Sequence, residues 1–179
     1  MKRLLHRLTN HLPCRLIQGD NGEKYLERYF LFALGPRQNP RVTAYIHRFV
    51  ASDPERGFHD HPWKWAMSLI LSGEYLELTP RGGDFTKFPV GSHKTPGCIT
   101  TFGPNHQHRV ELAGVECWTL VIHGRWIRPW GFYRYVSGCT ANGRAAIAWF
   151  YEQYSDKCTA GWWKTAKKGK ELRRAAAAS

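Results

Sequence analysis

His59-Asp60-His61-Pro62-Trp63-Lys64-Trp65-Ala66-Met67-Ser68-Leu69-Ile70-Leu71-Ser72-Gly73 is the stretch on which the fold turns. Residues two apart on an extended chain project from one face, so His59 and His61 can present two imidazoles to one ion. A second triplet, His106-Gln107-His108, closes the run Gly97-Cys98-Ile99-Thr100-Thr101-Phe102-Gly103-Pro104-Asn105. With nine histidines in the chain one such triplet would be a weak signal, and the presence of two gives the spacing its weight. A strand carrying His108, about 45 residues after the first pair, can supply the third ligand from a neighbouring position.

Outward from these motifs, short β-rich segments alternate with turn residues: Tyr25–Leu34, Val42–Val50, Ala66–Ser72, Glu74–Thr79, Cys98–Phe102, His108–Leu112 and Cys117–Ile122. The breaks fall at Gly35-Pro36, Ser72-Gly73, Gly82-Gly83, Pro96-Gly97, Gly103-Pro104 and Ala113-Gly114. Segments this short and this regularly interrupted predict an all-β sandwich or barrel over residues 25–137, preceded by an extension over 1–24. Ile147, Phe150, Tyr151 and Tyr154 fall at i, i+3, i+4 and i+7 behind Asn142 as an N-cap, which predicts a helix over Gly143–Ser155 within a helical segment 138–163. From Lys164 to Ser179 the chain is basic and then alanine-rich, with Leu172 its one large aliphatic residue, and a flexible tail is expected.

The two histidine motifs resemble those of the cupin superfamily. In the first, His59 and His61 are the HxH pair, Ala66 stands where the family has a glutamate, and Gly73 is the closing glycine. In the second, Gly97, the Gly103-Pro104 turn and His108 match, with Pro104 one residue late and Asn105 and Leu112 in place of glycine and asparagine. The resemblance covers residues 40–125 and implies a jelly-roll barrel, the double-stranded β-helix. More narrowly, Tyr25–Gly35, the phrase around His59-Asp60-His61-Pro62-Trp63, and Glu116–Gly124 look like a group of small cupins from bacteria and their phages, a likeness that bears on fold more than on substrate.

By the same resemblance, His59, His61 and His108 are the metal ligands, and the alanine at 66 makes this a three-histidine site. Three-histidine cupins include dioxygenases that hold Fe(II), so the implied function is a mononuclear Fe(II) dioxygenase-like enzyme acting on a small polar molecule. Imidazoles suit Zn, Ni, Mn or Cu as well, which leaves a non-redox isomerase or a small-ligand or effector-binding module as the alternative. His47, Ser68, His106 and His123 are candidates for supporting the ligands or lining the cavity, and Tyr45, Arg48, Tyr75 and Arg109 for its mouth. Asp60 is expected to turn away and make a loop hydrogen bond. Trp63, Trp65, Trp118, Trp126 and Trp130 are expected to pack. Glu74 and Glu77, three apart on one strand, face opposite ways, so paired-carboxylate chemistry is not supported.

Composition narrows the remaining classes. The chain of 179 residues is 42% hydrophobic and 14% aromatic, enough for one core and too short for two independent catalytic domains. Five widely spaced cysteines without a CxxC pair argue against a disulfide framework or thiolate zinc site and fit a cytoplasmic protein. The N-terminal run is broken by His6, Arg7, Asn10 and His11, so neither a signal peptide nor a membrane association is expected. The net charge of +12 gives nucleic acid as a further alternative partner through the basic tail, without any recognised binding motif, and a homodimer is compatible with the reading.

Overall fold

The computed structural model describes residues 1–139, 145–154 and 161–176. All seven expected strands are present, as β2 (Lys24–Leu34), β3 (Val42–Phe49), β5 (Ala66–Ser72), β6 (Tyr75–Thr79), β8 (Ile99–Phe102), β9 (Arg109–Leu112) and β10 (Cys117–His123). Five further strands join them: β1 (Cys14–Gln18), β4 (Phe58–His59), β7 (Val90–Lys94), β11 (Gly131–Cys139) and β12 (Ala145–Gln153). One layer is a six-stranded sheet in the order β1-β2-β3-β10-β5-β8. The facing layer consists of β7-β6-β9 and β4-β11-β12, joined where His59 bridges His108. The double-layered, antiparallel arrangement is that of a jelly roll.

Alternation decides which side chains enter the space between the layers. On β5 the buried residues are Ala66, Ser68, Ile70 and Ser72, and across from them on β10 stand His123, Val121 and Thr119. Tyr25, Leu26, Phe49, Ile70, Tyr75, Val110 and Cys117 close one end of this interior as an apolar core drawn from both layers. Gly73 turns the chain between β5 and β6 at φ +79°, and a Cβ there would meet the Glu116 carbonyl oxygen at 2.1 Å, so only glycine fits.

A second core lies on the outer face of the six-stranded sheet. Leu5 of helix α1 (Lys2–Thr9), Cys14, Tyr29, Ile46 and Trp118 are buried together, with Leu172 of helix α2 (Gly169–Ala176) packed against them. Both ends of the chain therefore cover this sheet. Residues 1–24 supply α1 and also the edge strand β1, paired with β2. The segment expected to be a flexible tail is docked: Arg173 donates to the Tyr29 hydroxyl at 2.6 Å, and Cys14 N–H to the Lys167 carbonyl at 2.9 Å.

Within the span Gly143–Ser155 expected as a helix, Ala145–Gln153 is strand β12; Asn142, Gly143, Arg144 and Ser155 lie outside the described residues. β12 pairs with β11 along its whole length, with Tyr133 opposite Tyr151 and Tyr135 opposite Trp149. Their ring centroids are 5.0 and 5.4 Å apart. Cross-strand aromatic pairing of this kind rewards the extended conformation and overrides an i, i+3, i+4 pattern. The helix at the C-terminal end is α2. Among the described residues no helix is long and apolar enough to cross a membrane.

Candidate metal centre

The site is built on one backbone pairing. His59 N–H donates to the His108 carbonyl at 2.9 Å and His108 N–H to the His59 carbonyl at 3.0 Å. Residues that exchange both hydrogen bonds stand directly opposite with side chains on one face. Gly57, at φ +83°, lets the chain reach this position; a Cβ there would lie 2.0 Å from the Tyr133 carbonyl oxygen. His61, two residues on, returns to the same face.

The three imidazoles converge through their ε nitrogens. His108 Nε2 lies 3.1 Å from His59 Nε2 and 3.1 Å from His61 Nε2, and the donor atoms of all three lie within 4.8 Å of one another. Two nitrogens each about 2.1 Å from an ion are about 3.0 Å apart at right angles and about 3.4 Å apart at the tetrahedral angle. The two 3.1 Å separations from His108 are those of ligands set near right angles about one ion.

A second layer of contacts fixes the protons. His108 Nδ1–H donates to Glu77 Oε1 at 2.6 Å, so its Nε2 carries a lone pair. His106 Nε2 donates to the same oxygen at 3.1 Å, and Lys94 Nζ lies 3.2 Å from Glu77 Oε2. Burial alone would raise the Glu77 pKa, yet the hydrogen bonds from His106 and His108 and the Lys94 contact together hold the carboxyl well below its usual range. Burial, and next the nearby His108, push His59 and His61 well below the ordinary histidine value, so both are neutral at pH 7. Whichever tautomers His59 and His61 adopt, one lone pair on His108 Nε2 cannot make a good hydrogen bond to both, whereas a cation at the common point engages all three nitrogens. A divalent metal fits this donor set.

The structure disperses the supporting candidates. His47 and Ser68 line a cavity of about 120 Å³ that opens beside the three histidines. His106 sits on the far side of Glu77 and makes an alternative cluster with Glu77 and His108. His123 is buried against Trp63, ring centroids 4.3 Å apart, and does not line the cavity. Ala66 shares the inner face with Ser68, but its cross-strand neighbours are Phe102 and His123, and it too lies off the cavity wall. Of the four residues expected at the mouth only Tyr75 lines the cavity; Arg48 lies on the outer face, paired with Glu27 and Glu116. Asp60 accepts from Gly131 N–H at 2.8 Å and pairs with Arg128, a clamp on the loop after β4. Trp63, Trp126 and Trp130 line the cavity as well as pack, whereas Trp118 is wholly buried on the outer side.

Sequence reasoning missed four charged residues of the site. Glu77 orients His108; Asp53 lies 3.5 Å from His59 Nδ1; Arg28 and Arg56 line the cavity. For Glu77 a signal existed: a carboxylate on the buried face of β6, in alternation with Tyr75, needs a partner. Arg28 lies on β2 with nothing in its local sequence to separate it from Arg48.

Among solved structures the chain is similar to FeII HppE in complex with substrate, with a TM-score of 0.50 over 64% of this chain and 57% of that one at 12% identity. The chain has the cupin fold. Two further similar structures are the DMSP lyase DddQ from Ruegeria pomeroyi (TM-score 0.46, 21% identity, 63% of this chain and 56% of that one) and a conserved protein with a double-stranded β-helix domain from Klebsiella pneumoniae (0.45, 14%, 65% and 90%). The chain spans little more than half the length of the HppE and DddQ chains. No family model matches it, and no curated protein does.

Proposed function

We propose that this protein is a mononuclear metal-dependent enzyme, an Fe(II) dioxygenase-like cupin acting on a small polar molecule. The observation that carries the reading is the convergence of His59, His61 and His108, with His108 Nε2 3.1 Å from each of the other two, beside the cavity. The three imidazoles would hold the ion, and no carboxylate belongs to that trio, so a bound divalent ion would keep its full charge and three positions for exogenous ligands. Iron(II) would supply Lewis acidity and redox chemistry with dioxygen at those positions. HppE, which shares the fold, is an iron(II) protein that takes a substrate.

The remaining steps belong to the chain. Glu77 keeps the proton of His108 on Nδ1, which leaves Nε2 free to ligate and raises its basicity. Trp63, Trp126, Trp130 and Phe132 wall the cavity and limit access of water. Elemental analysis of protein purified without added metal, with His59→Ala and His108→Ala alongside, tests the reading. About one iron per wild-type chain, lost in both variants, is the expected result. Stoichiometric zinc or nickel instead would favour the non-redox alternative, and no metal after reconstitution would end the proposal.

A further inference from the structure

The inner face of the six-stranded sheet carries a polar row. Arg28 on β2 is in register with His47 on β3, which is in register with Thr119 on β10. Directly opposed residues on neighbouring antiparallel strands share a face. All three line the cavity.

Arg28 is held by one edge only. Its Nε donates to His47 Nε2 at 3.0 Å, and its guanidinium carbon lies 5.3 Å from the centre of the Tyr45 ring. Arg48, Arg56, Arg128 and Arg134 each pair with a carboxylate. Arg28 meets none among the described residues, and its two terminal nitrogens have no protein acceptor there. Three residues that line the same cavity have a buried polar atom without a partner among those residues: Thr119 Oγ1, Trp63 Nε1 and Arg56 Nε. Thr119 is 1% exposed and Trp63 7%. Orphaned donors this deep are costly unless a ligand or water engages them.

The charge in the cavity points the same way. Its two acids are committed: Glu77 to His106, His108 and Lys94, and Asp53 to the Val110 N–H at 2.8 Å while facing His59. That leaves the free fork of Arg28 uncompensated, and a divalent ion on three neutral imidazoles would add to it. Away from the polar row the wall is apolar, with Ile17, Leu26, Phe49, Val110 and Phe132.

We propose that the cavity takes a small carboxylic acid as its anion, the carboxylate held two-pronged by the terminal nitrogens of Arg28, with Thr119 beside it and a short apolar body against the far wall. The planar fork of a guanidinium matches the two oxygens of a carboxylate. This deepens the metal-centre reading and rests on it for the chemistry, though not for the binding.

Quenching of intrinsic tryptophan fluorescence reads the site directly, because Trp63, Trp126 and Trp130 line it. The probes are propionate, butyrate, hexanoate and phenylacetate, each against its uncharged amide and against the phosphonate of the same skeleton, titrated into the full chain with and without iron(II) under anaerobic conditions. At least one carboxylate should bind saturably, about tenfold or more tighter than its amide and tighter than its phosphonate. Arg28→Gln should abolish that preference, Arg28→Lys restore part of it, and Thr119→Val weaken binding several-fold while the metal content of each stays at the wild-type level. Carboxylates binding no better than amides, or equally well without Arg28, would overturn the inference, and a preference for phosphonates would replace the carboxylate with another oxyanion. If Arg28→Gln does not fold, the wild-type comparison with the amides and the Thr119→Val titration still decide. Carboxylate binding through Arg28 in protein that takes up no metal would sink the metal reading alone; metal uptake without carboxylate preference would sink only this one.

Discussion

Glu77 and His123 do different work from buried positions. Glu77 accepts the hydrogen bond of His108 Nδ1–H on the side away from the three converging nitrogens, an arrangement that fixes the ring and raises the basicity of its Nε2. Glu77→Gln keeps the shape and removes the charge, so divalent-metal affinity should fall by about 10–100-fold, read by competition with a chelating indicator. His123 is pressed down to about pKa 4, chiefly by burial, with the Gly124 carbonyl opposing and the charge of Arg28 adding. The unfolded chain binds that proton near 6.5 and the folded chain only near 4, so the contribution is complete above about 6.5 and is lost as pH falls toward 4. The loss from this group is on the order of 3 kcal/mol. His47, His59 and His61 share the direction. In chelator-treated protein, His123→Phe should therefore flatten, without abolishing, the fall in urea midpoint between pH 6.5 and 4; an unchanged slope would show that His123 takes up its proton in the fold. The behaviour of these histidines was not legible beforehand, because a pKa depends on which strands stack against a ring, and sequence spacing reports only the ring's own strand.

Among the elements, the contrast between β5 and β12 shows where sequence patterning works. Ala66, Ser68 and Ile70 alternate against a single apolar interior, and the strand was readable from its own residues. In β12 the apolar residues fall on both strand faces and also satisfy a helical period, so the local pattern is compatible with either state. The outcome is decided by partners 6–22 residues away in β11, through pairs such as Tyr133 with Tyr151. The abundance of aromatic residues was the available signal for a strand. The C-terminal segment was misread for a related reason: one leucine looks too little to dock a helix, yet Leu172 enters a core assembled from α1, β1, β2, β3 and β10, and Arg173 adds hydrogen bonds to Tyr29 and Asn10. Deleting residues 164–179 should lower the thermal midpoint, and Leu172→Ala alone should cost about 1–2 kcal/mol in urea unfolding, less than a fully buried leucine because the residue is only half-buried. A truncated chain as stable as the whole would mean that α2 does not dock in solution.

For the molecule as a whole, the two histidine motifs were legible because they carry their spacing within single segments, whereas the cavity's arginine and carboxylates come from strands that only the fold brings together. That assembly would tie a bound metal to global stability. His59 and His108 hold the central pairing of one layer, the bridge by which β4-β11-β12 joins β7-β6-β9, and His61 continues from it toward the Trp63–Trp126 bridge. Unfolding separates these segments by nearly fifty residues and removes the preformed donor set, so an ion that binds the fold shifts the equilibrium toward it by mass action. At about a hundred times its dissociation constant the ion should add about 2.7 kcal/mol, which for a chain of this size raises the melting temperature by roughly 5–10 °C. Scanning calorimetry with iron(II) under argon, and with zinc(II) in air, against chelator-treated protein measures the shift. His108→Ala should remove it, because the variant loses the nitrogen that lies 3.1 Å from each of the other two. Glu77→Gln should reduce the shift at a fixed ion concentration and recover it at a higher one, since that carboxylate strengthens a ligand without being one of the three. A shift that survives in His108→Ala would place the ion elsewhere, and the alternative cluster of Glu77, His106 and His108 would fail the same test because it needs the same ring.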